Sequence, residues 1–176
     1  MTLQKVRLHP IHAGVGVFVR VVCAPELARL GRATLDALGY VGASSVCFKV
    51  DAASEQPFVH EVNGRLPLAH GAGSIVGVDL SYLMYADALG IDSPEPNASR
   101  SGGASAWVTV PADIQAFRAY RRNREITLRD WLRSYKDVRL WGEAARDDVR
   151  PLYGVVRRHL RNLVRERREQ RDMRPA

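Results

Sequence analysis

Residues 42–65 read GASSVCFKVDAASEQPFVHEVNGR, and they decide the fold. Two short apolar runs, 43–50 (ASSVCFKV) and 57–62 (PFVHEV), flank a polar turn, the pattern of an antiparallel hairpin. Glu61, Asn63 and Arg65 follow one another at alternate positions at the end of the second run. Strand side chains alternate between faces, so this spacing predicts one shared face for the three. A carboxylate and an amide oxygen two residues apart suit a hard divalent cation such as Mg2+, which takes oxygen ligands. An arginine two residues on suits the phosphate that accompanies such a cation. The plainer alternative is an edge strand with ordinary polar residues on its wet face.

The surrounding chain sets the frame. At 176 residues, 46% of them hydrophobic, it is long enough for one domain with a proper core. No apolar run reaches membrane-spanning length, and the best candidate, 15–22, is broken by Arg20. The opening MTLQKVRLHP has no signal-peptide hydrophobic region, which gives a cytoplasmic expectation. Cys23 and Cys47 each lie in an apolar run and read as buried thiols rather than a disulfide or a metal pair. The formal charge is +7, and much of it is local. Residues 157–174 carry eight arginines against Glu166, Glu169 and Asp172. No aromatic residues are interleaved there to stack on bases, so a solvated basic tail is the better reading than a nucleic-acid contact.

Before the hairpin, AGVGVFVRVVC (13–23) reads as a strand. The preceding 5–10 is polar. Pro25 fits a first helical turn; Leu27, Leu30, Ala33, Leu35 and Leu38 follow on one side, and Gly39 is the natural stop. After the hairpin, glycines 71, 73 and 77 have the wrong spacing for a dinucleotide loop. A small-residue helix over 67–72 fits instead. Asp79 caps a second helix, 80–89, with Leu80, Leu83, Met84 and Ala88 as its packing face and Gly90 as its end. Residues 91–106 have linker composition. Beyond them, 107–110 reads as a strand. Pro111 and Asp113 open a helix to Arg122 with Ile114 and Phe117 inward, and Thr127 with Asp130 forms a capping box ahead of Leu128, Trp131 and Leu132. A last helix starts near Pro151 and carries the stripe Leu152, Val155, Val156, Leu160, Leu163 and Val164.

Several polar residues have bland readings. Lys49 and Asp51 read as hairpin surface. His60 alternates away from Glu61. His9 and His12 flank Pro10 on an irregular stretch unsuited to a metal, and His70 reads as helix surface.

From about residue 5 to 90 the chain resembles the C-terminal half of an ATP-grasp domain of the carboxylate–amine ligase kind. The residues that carry the likeness are GASSVCFKVD (42–51), EVNGR (61–65), GVDLSYLMY (77–85) and ALG (88–90). The resemblance implies an α+β fold. An antiparallel sheet with flanking helices would form residues 1–90, a partial ATP-grasp domain. A linker, 91–106, and a helical C-terminal extension with a basic tail, 107–176, would follow. It implies a cleft for ATP and Mg2+, in which a substrate carboxylate takes the γ-phosphate and an amine then displaces it. By that likeness Glu61 and Asn63 are metal ligands, all of Glu61, Asn63 and Arg65 bind the cofactor, and Arg65 steadies the transferring phosphoryl group.

Three departures accompany the likeness. Cys47 stands where the family carries its first metal-binding acid or glutamine, and a thiol is a poor match to Mg2+. Gly64 replaces a proline before the arginine. Ala13 and Arg20 stand where a glycine and often a glutamate occur. The lid and adenine hinge of a full enzyme are not in this sequence. Hence two functional expectations: a partial domain with a remnant Mg2+/ATP site that acts only with a partner chain supplying the lid, or a non-catalytic remnant used for binding or oligomerisation.

Overall fold

The computed structural model describes residues 1–93, 105–144, 148, 150–158 and 161. Its elements are β1 (Thr2–His9), β2 (Val15–Val22), α1 (Pro25–Ala37), β3 (Ser45–Val50), β4 (Pro57–Asn63), a 3-10 segment (His70–Val76), α2 (Leu80–Leu89), β5 (Ser105–Val108), α3 (Val110–Arg122), α4 (Leu128–Ser134), a second 3-10 turn (Tyr135–Asp137) and β6 (Val138–Trp141). Residues 150–158 are also helical. The class is α+β, and no described helix is long and apolar enough to cross a membrane.

Among the described residues the strands form two sheets. A four-stranded sheet has the order β1-β2-β5-β6, and β3-β4 stands apart as a two-stranded ribbon. The larger sheet is mixed, because β5 and β6 run parallel while the other neighbours are antiparallel. This corrects the expectation of a single antiparallel sheet containing the hairpin. Within 107–176 the strand expected at 107–110 is present as β5, begun two residues earlier, and β6 is a further strand that was not expected; both complete the sheet begun by β1 and β2. A parallel pair needs a long crossover, supplied here by α3 and α4. The linker reading of 91–106 ends early, because Ser105 and Ala106 already pair with Val21 and Arg20. Residues 94–104 lie outside the described residues.

The sheet has two covered faces. On one, Val19, Val21 and Trp107 meet Ala69, Ala72, Val76 and Val78, with Leu80, Leu83 and Leu140 at the margin. On the other, Phe18, Ala106 and Val108 pack with Val6, Val110, Tyr135 and Val138. β1 has no readable strand pattern because its alternation is interrupted. Irregularities fall between Lys5 and Arg7 and between Arg7 and Leu8, so its side chains follow no simple period of two.

Helix boundaries follow local chemistry. Pro25 opens α1, and Gly39 (φ +59°) follows its last turn. Asp79 accepts from the N–H groups of Ser81 and Tyr82, at 3.0 Å each, and Gly90 (φ +64°) closes α2. The helix expected over 67–72 is instead a 3-10 segment three residues later. Of the stripe in the last helix, Leu160, Leu163 and Val164 lie outside the described residues. So does the basic tail beyond residue 161.

Candidate functional site

The hairpin has one covered face and one open face. A Cβ built on Gly31 of α1 would lie 3.7 Å from the Phe48 ring and 3.8 Å from Val46 Cβ, so these two β3 residues face α1. Their partners Val62 and Val59 share that face. Both residues join it because His60 is the extra residue of a bulge: Cys47 pairs with Glu61, and the next β3 residue, Phe48, pairs with Val59. Ser45, Cys47, Glu61 and Asn63 therefore occupy the opposite face, with Ser45 directly across from Asn63 and Cys47 across from Glu61.

That face holds the expected oxygen donors. Glu61 is exposed and Asn63 half-buried. β4 ends at Asn63, and Arg65 follows, exposed, in a bend. Strand alternation thus places Glu61 and Asn63 together and stops short of Arg65. The bend has a local cause: a Cβ on Gly64 would come within 2.9 Å of the Tyr40 hydroxyl, which donates to the Ala43 carbonyl at 3.0 Å. Tyr40 thus fills the space at which a side chain on residue 64 would start.

One member of this face was not legible beforehand. Lys5 Nζ reaches Cys47 Sγ at 3.9 Å from β1, 42 residues away. Nothing in a polar N-terminal stretch announces that contact. Its ammonium puts a positive charge beside Cys47. The cysteines also depart from expectation, since Cys23 is exposed just past β2 and Cys47 is half-exposed on the open face rather than in a core.

The hairpin turn is organised by Asp51. Its Oδ1 accepts from Ala53 N, Ser54 N and Ser54 Oγ at 3.0, 2.8 and 2.9 Å. The Ser54 N–H and hydroxyl, then the Ala53 N–H, hold the carboxyl below its usual range. Asp51 is a turn builder, not a ligand. Arg20 is also spoken for: by register it sits across from Ala106, and it donates to Asp137 at 3.1 Å. His12 pairs with Glu125 at 3.1 Å.

A second polar cluster lies in the core. Asp113 is fully buried and Arg7 is 3% exposed. Arg7 Nε and Nη2 donate to the two carboxylate oxygens at 2.6 and 3.0 Å, and Nη1 donates to Ser134 Oγ at 3.0 Å. Trp131 Nε1 and the Tyr135 hydroxyl each donate to Asp113 Oδ2 at 2.8 Å. The guanidinium stacks 4.0 Å over the Phe18 ring. Each oxygen of this carboxylate is engaged from within the protein, so the cluster locks α3 and α4 onto β1 and offers no free valence to a ligand.

Among the described residues no group of three His, Cys, Asp or Glu side chains is placed to hold a metal. Glu61 and Asn63 alone still suit Mg2+, which keeps waters and is commonly bound through one or two carboxylates plus substrate phosphates. Comparison with family models, curated proteins and solved structures finds no match to this chain.

Proposed function

We propose that the chain is a partial ATP-grasp domain, cytoplasmic, with a remnant Mg2+/ATP site on the open face of the β3–β4 hairpin. It would be related to ATP-dependent carboxylate–amine ligases. The observation that carries this reading is the register, with Cys47 across from Glu61 and Ser45 across from Asn63 on the face turned away from α1. Glu61 and Asn63 would offer oxygens to a cation that supplies charge neutralisation for the triphosphate. Lys5 and Arg65 would meet phosphate oxygens through charge-assisted hydrogen bonds. A lid from a partner chain would complete the cleft and admit the carboxylate substrate.

A second reading, a non-catalytic remnant used for binding or oligomerisation, draws on Cys47 itself. A thiol beside an ammonium, 3.9 Å apart, is poor company for a hard cation. Both readings expect weak nucleotide binding by the isolated chain, with Kd above about 1 mM. Titration of the full chain with Mg2+ and ATP, followed by amide NMR, tests the proposal. Shifts should centre on Ser45, Cys47, Glu61 and Asn63, and Cys47→Glu should tighten the Mg2+-dependent part about tenfold. Silent amides on this face up to about 20 mM nucleotide would reject the site, whereas binding unaffected by Cys47→Glu would favour the non-catalytic remnant.

A further inference from the structure

The stretch 118–139 reads RAYRRNREITLRDWLRSYKDVR, eight arginines and lysines against three acids, a net +5 in 22 residues. All eight cations are exposed. Each of the three acids is engaged elsewhere: Glu125 by His12 and Asn123, Asp130 by Thr127, and Asp137 by Arg20. Among the described residues the ion pairs include none of the eight.

α4 shows how this charge is presented. Trp131 stacks on Phe117 of α3, with 4.5 Å between ring centroids, and donates to Asp113, while Ser134 is buried. That side of α4 therefore faces the protein. At about 100° per residue, Leu128, Leu132, Arg129 and Arg133 fall on the opposite arc. Both leucines stand uncovered, 45 and 56% exposed, side by side at i and i+4. The two arginines share the same spacing, at which like charges repel. Neither arrangement favours the helix in water alone. The guanidinium of Arg121, 5.9 Å from the Phe117 ring centroid, adds a cation where α3 meets α4.

We propose that this arc of α4, with the end of α3, docks on an anionic phospholipid surface. Headgroup phosphates and carboxylates would meet the arginines, and the acyl boundary would take the two leucines. With seven residues, α4 would lie on such a surface rather than cross it. A nucleic-acid backbone would meet the arginines equally well but gain nothing from Leu128 and Leu132. The aromatic residues of the stretch are not placed to stack on bases either. Tyr120 accepts from the Leu8 N–H, and Trp131 and Tyr135 are turned to Asp113.

Co-sedimentation of the full chain with vesicles decides it. The chain should sediment with phosphatidylcholine vesicles that carry about one-third phosphatidylserine, and much less without the anionic lipid or at high salt. Arg129→Gln with Arg133→Gln should weaken the binding about thirtyfold. Leu128→Ser with Leu132→Ser should weaken it about tenfold. The arginines of 157–174 are intact in both variants, so binding through the tail would ignore these substitutions. All four positions are exposed, and a urea midpoint matching the parent's would show that the variants fold. Arg121→Gln, which leaves α4 untouched, should cost about fivefold and gives the same test from α3. No binding to the anionic vesicles, or binding that these substitutions leave unchanged, overturns the proposal. Duplex DNA bound in place of vesicles, with affinity indifferent to the leucine changes, also overturns it and assigns the surface to nucleic acid.

Discussion

Asp113 accepts from Arg7, Trp131 and Tyr135 in a site closed to water. Removing one partner of a buried pair leaves the other charge uncompensated, which costs about 3–5 kcal/mol. A domain of this size has a total stability of about 5–15 kcal/mol, so Asp113→Ala should remove a large share of it. The measurement is the urea midpoint of the full chain, and a shift equivalent to under about 1 kcal/mol would show the cluster to be less closed than it looks. Tyr135 adds a pH signature. Burial first, then the Asp113 charge and hydrogen bond, raise its phenol above the ordinary value. With the folded value raised, the contribution is complete below about pH 10, where both states hold the proton. It declines as pH climbs beyond that, because the unfolded chain releases its proton first. Tyr135→Phe should flatten the fall in stability above about pH 10 relative to the parent chain. None of this was legible in the sequence. Asp113 looked like a helix-opening acid, and its arginine lies 106 residues away, a distance over which no spacing rule operates.

Elements written by neighbouring residues were readable, and those written by distant ones were not. Asp79 announced α2 and Gly90 its end, and both stand as read. Asp79→Ala should cost about 1 kcal/mol, because two backbone N–H groups lose their acceptor; a thermal or urea midpoint unchanged within error would mean water replaces it freely. The hairpin was equally local, with its turn drawn by Asp51 and its two runs joined by six residues. The bulge at His60 was not foreseeable, yet it puts Val59 on the apolar face while leaving Glu61 and Asn63 on the open one. By contrast, β6 is four residues long and pairs in parallel with β5 across two intervening helices. Short strands buried by non-local pairing carry neither length nor period to mark them. The candidate site was half legible for the same reason: Glu61 and Asn63 belong to one strand, whereas Lys5 arrives from another element altogether.

At the scale of the whole molecule, stability and the candidate site occupy different parts. Among the described residues every buried apolar one lies in β2, β5, α2, α3 or the 69–78 stretch, and none lies in α1, β3 or β4. The hairpin and α1 form a thin two-layer annex, attached to the main sheet at Cys23–Ala24 and again after Arg65. A two-stranded ribbon with one partly covered face is marginal by itself. Regions with little buried apolar contact open at a lower free energy than the core. The β3 and β4 amides should therefore exchange through a local opening, at free energies well below those of β2 and β5, and with little dependence on urea. Exchange of both groups at one common free energy would show instead that the annex unfolds only with the core. The consequence for function is specific. A ligand that binds the closed hairpin and not the open one stabilises it by RT ln(1 + [L]/Kd), about 1.4 kcal/mol at ten times Kd. Saturating Mg2+ and ATP should slow exchange in β3 and β4 by about that much and leave β2 and β5 untouched, so even millimolar binding becomes visible as a protection confined to one ribbon.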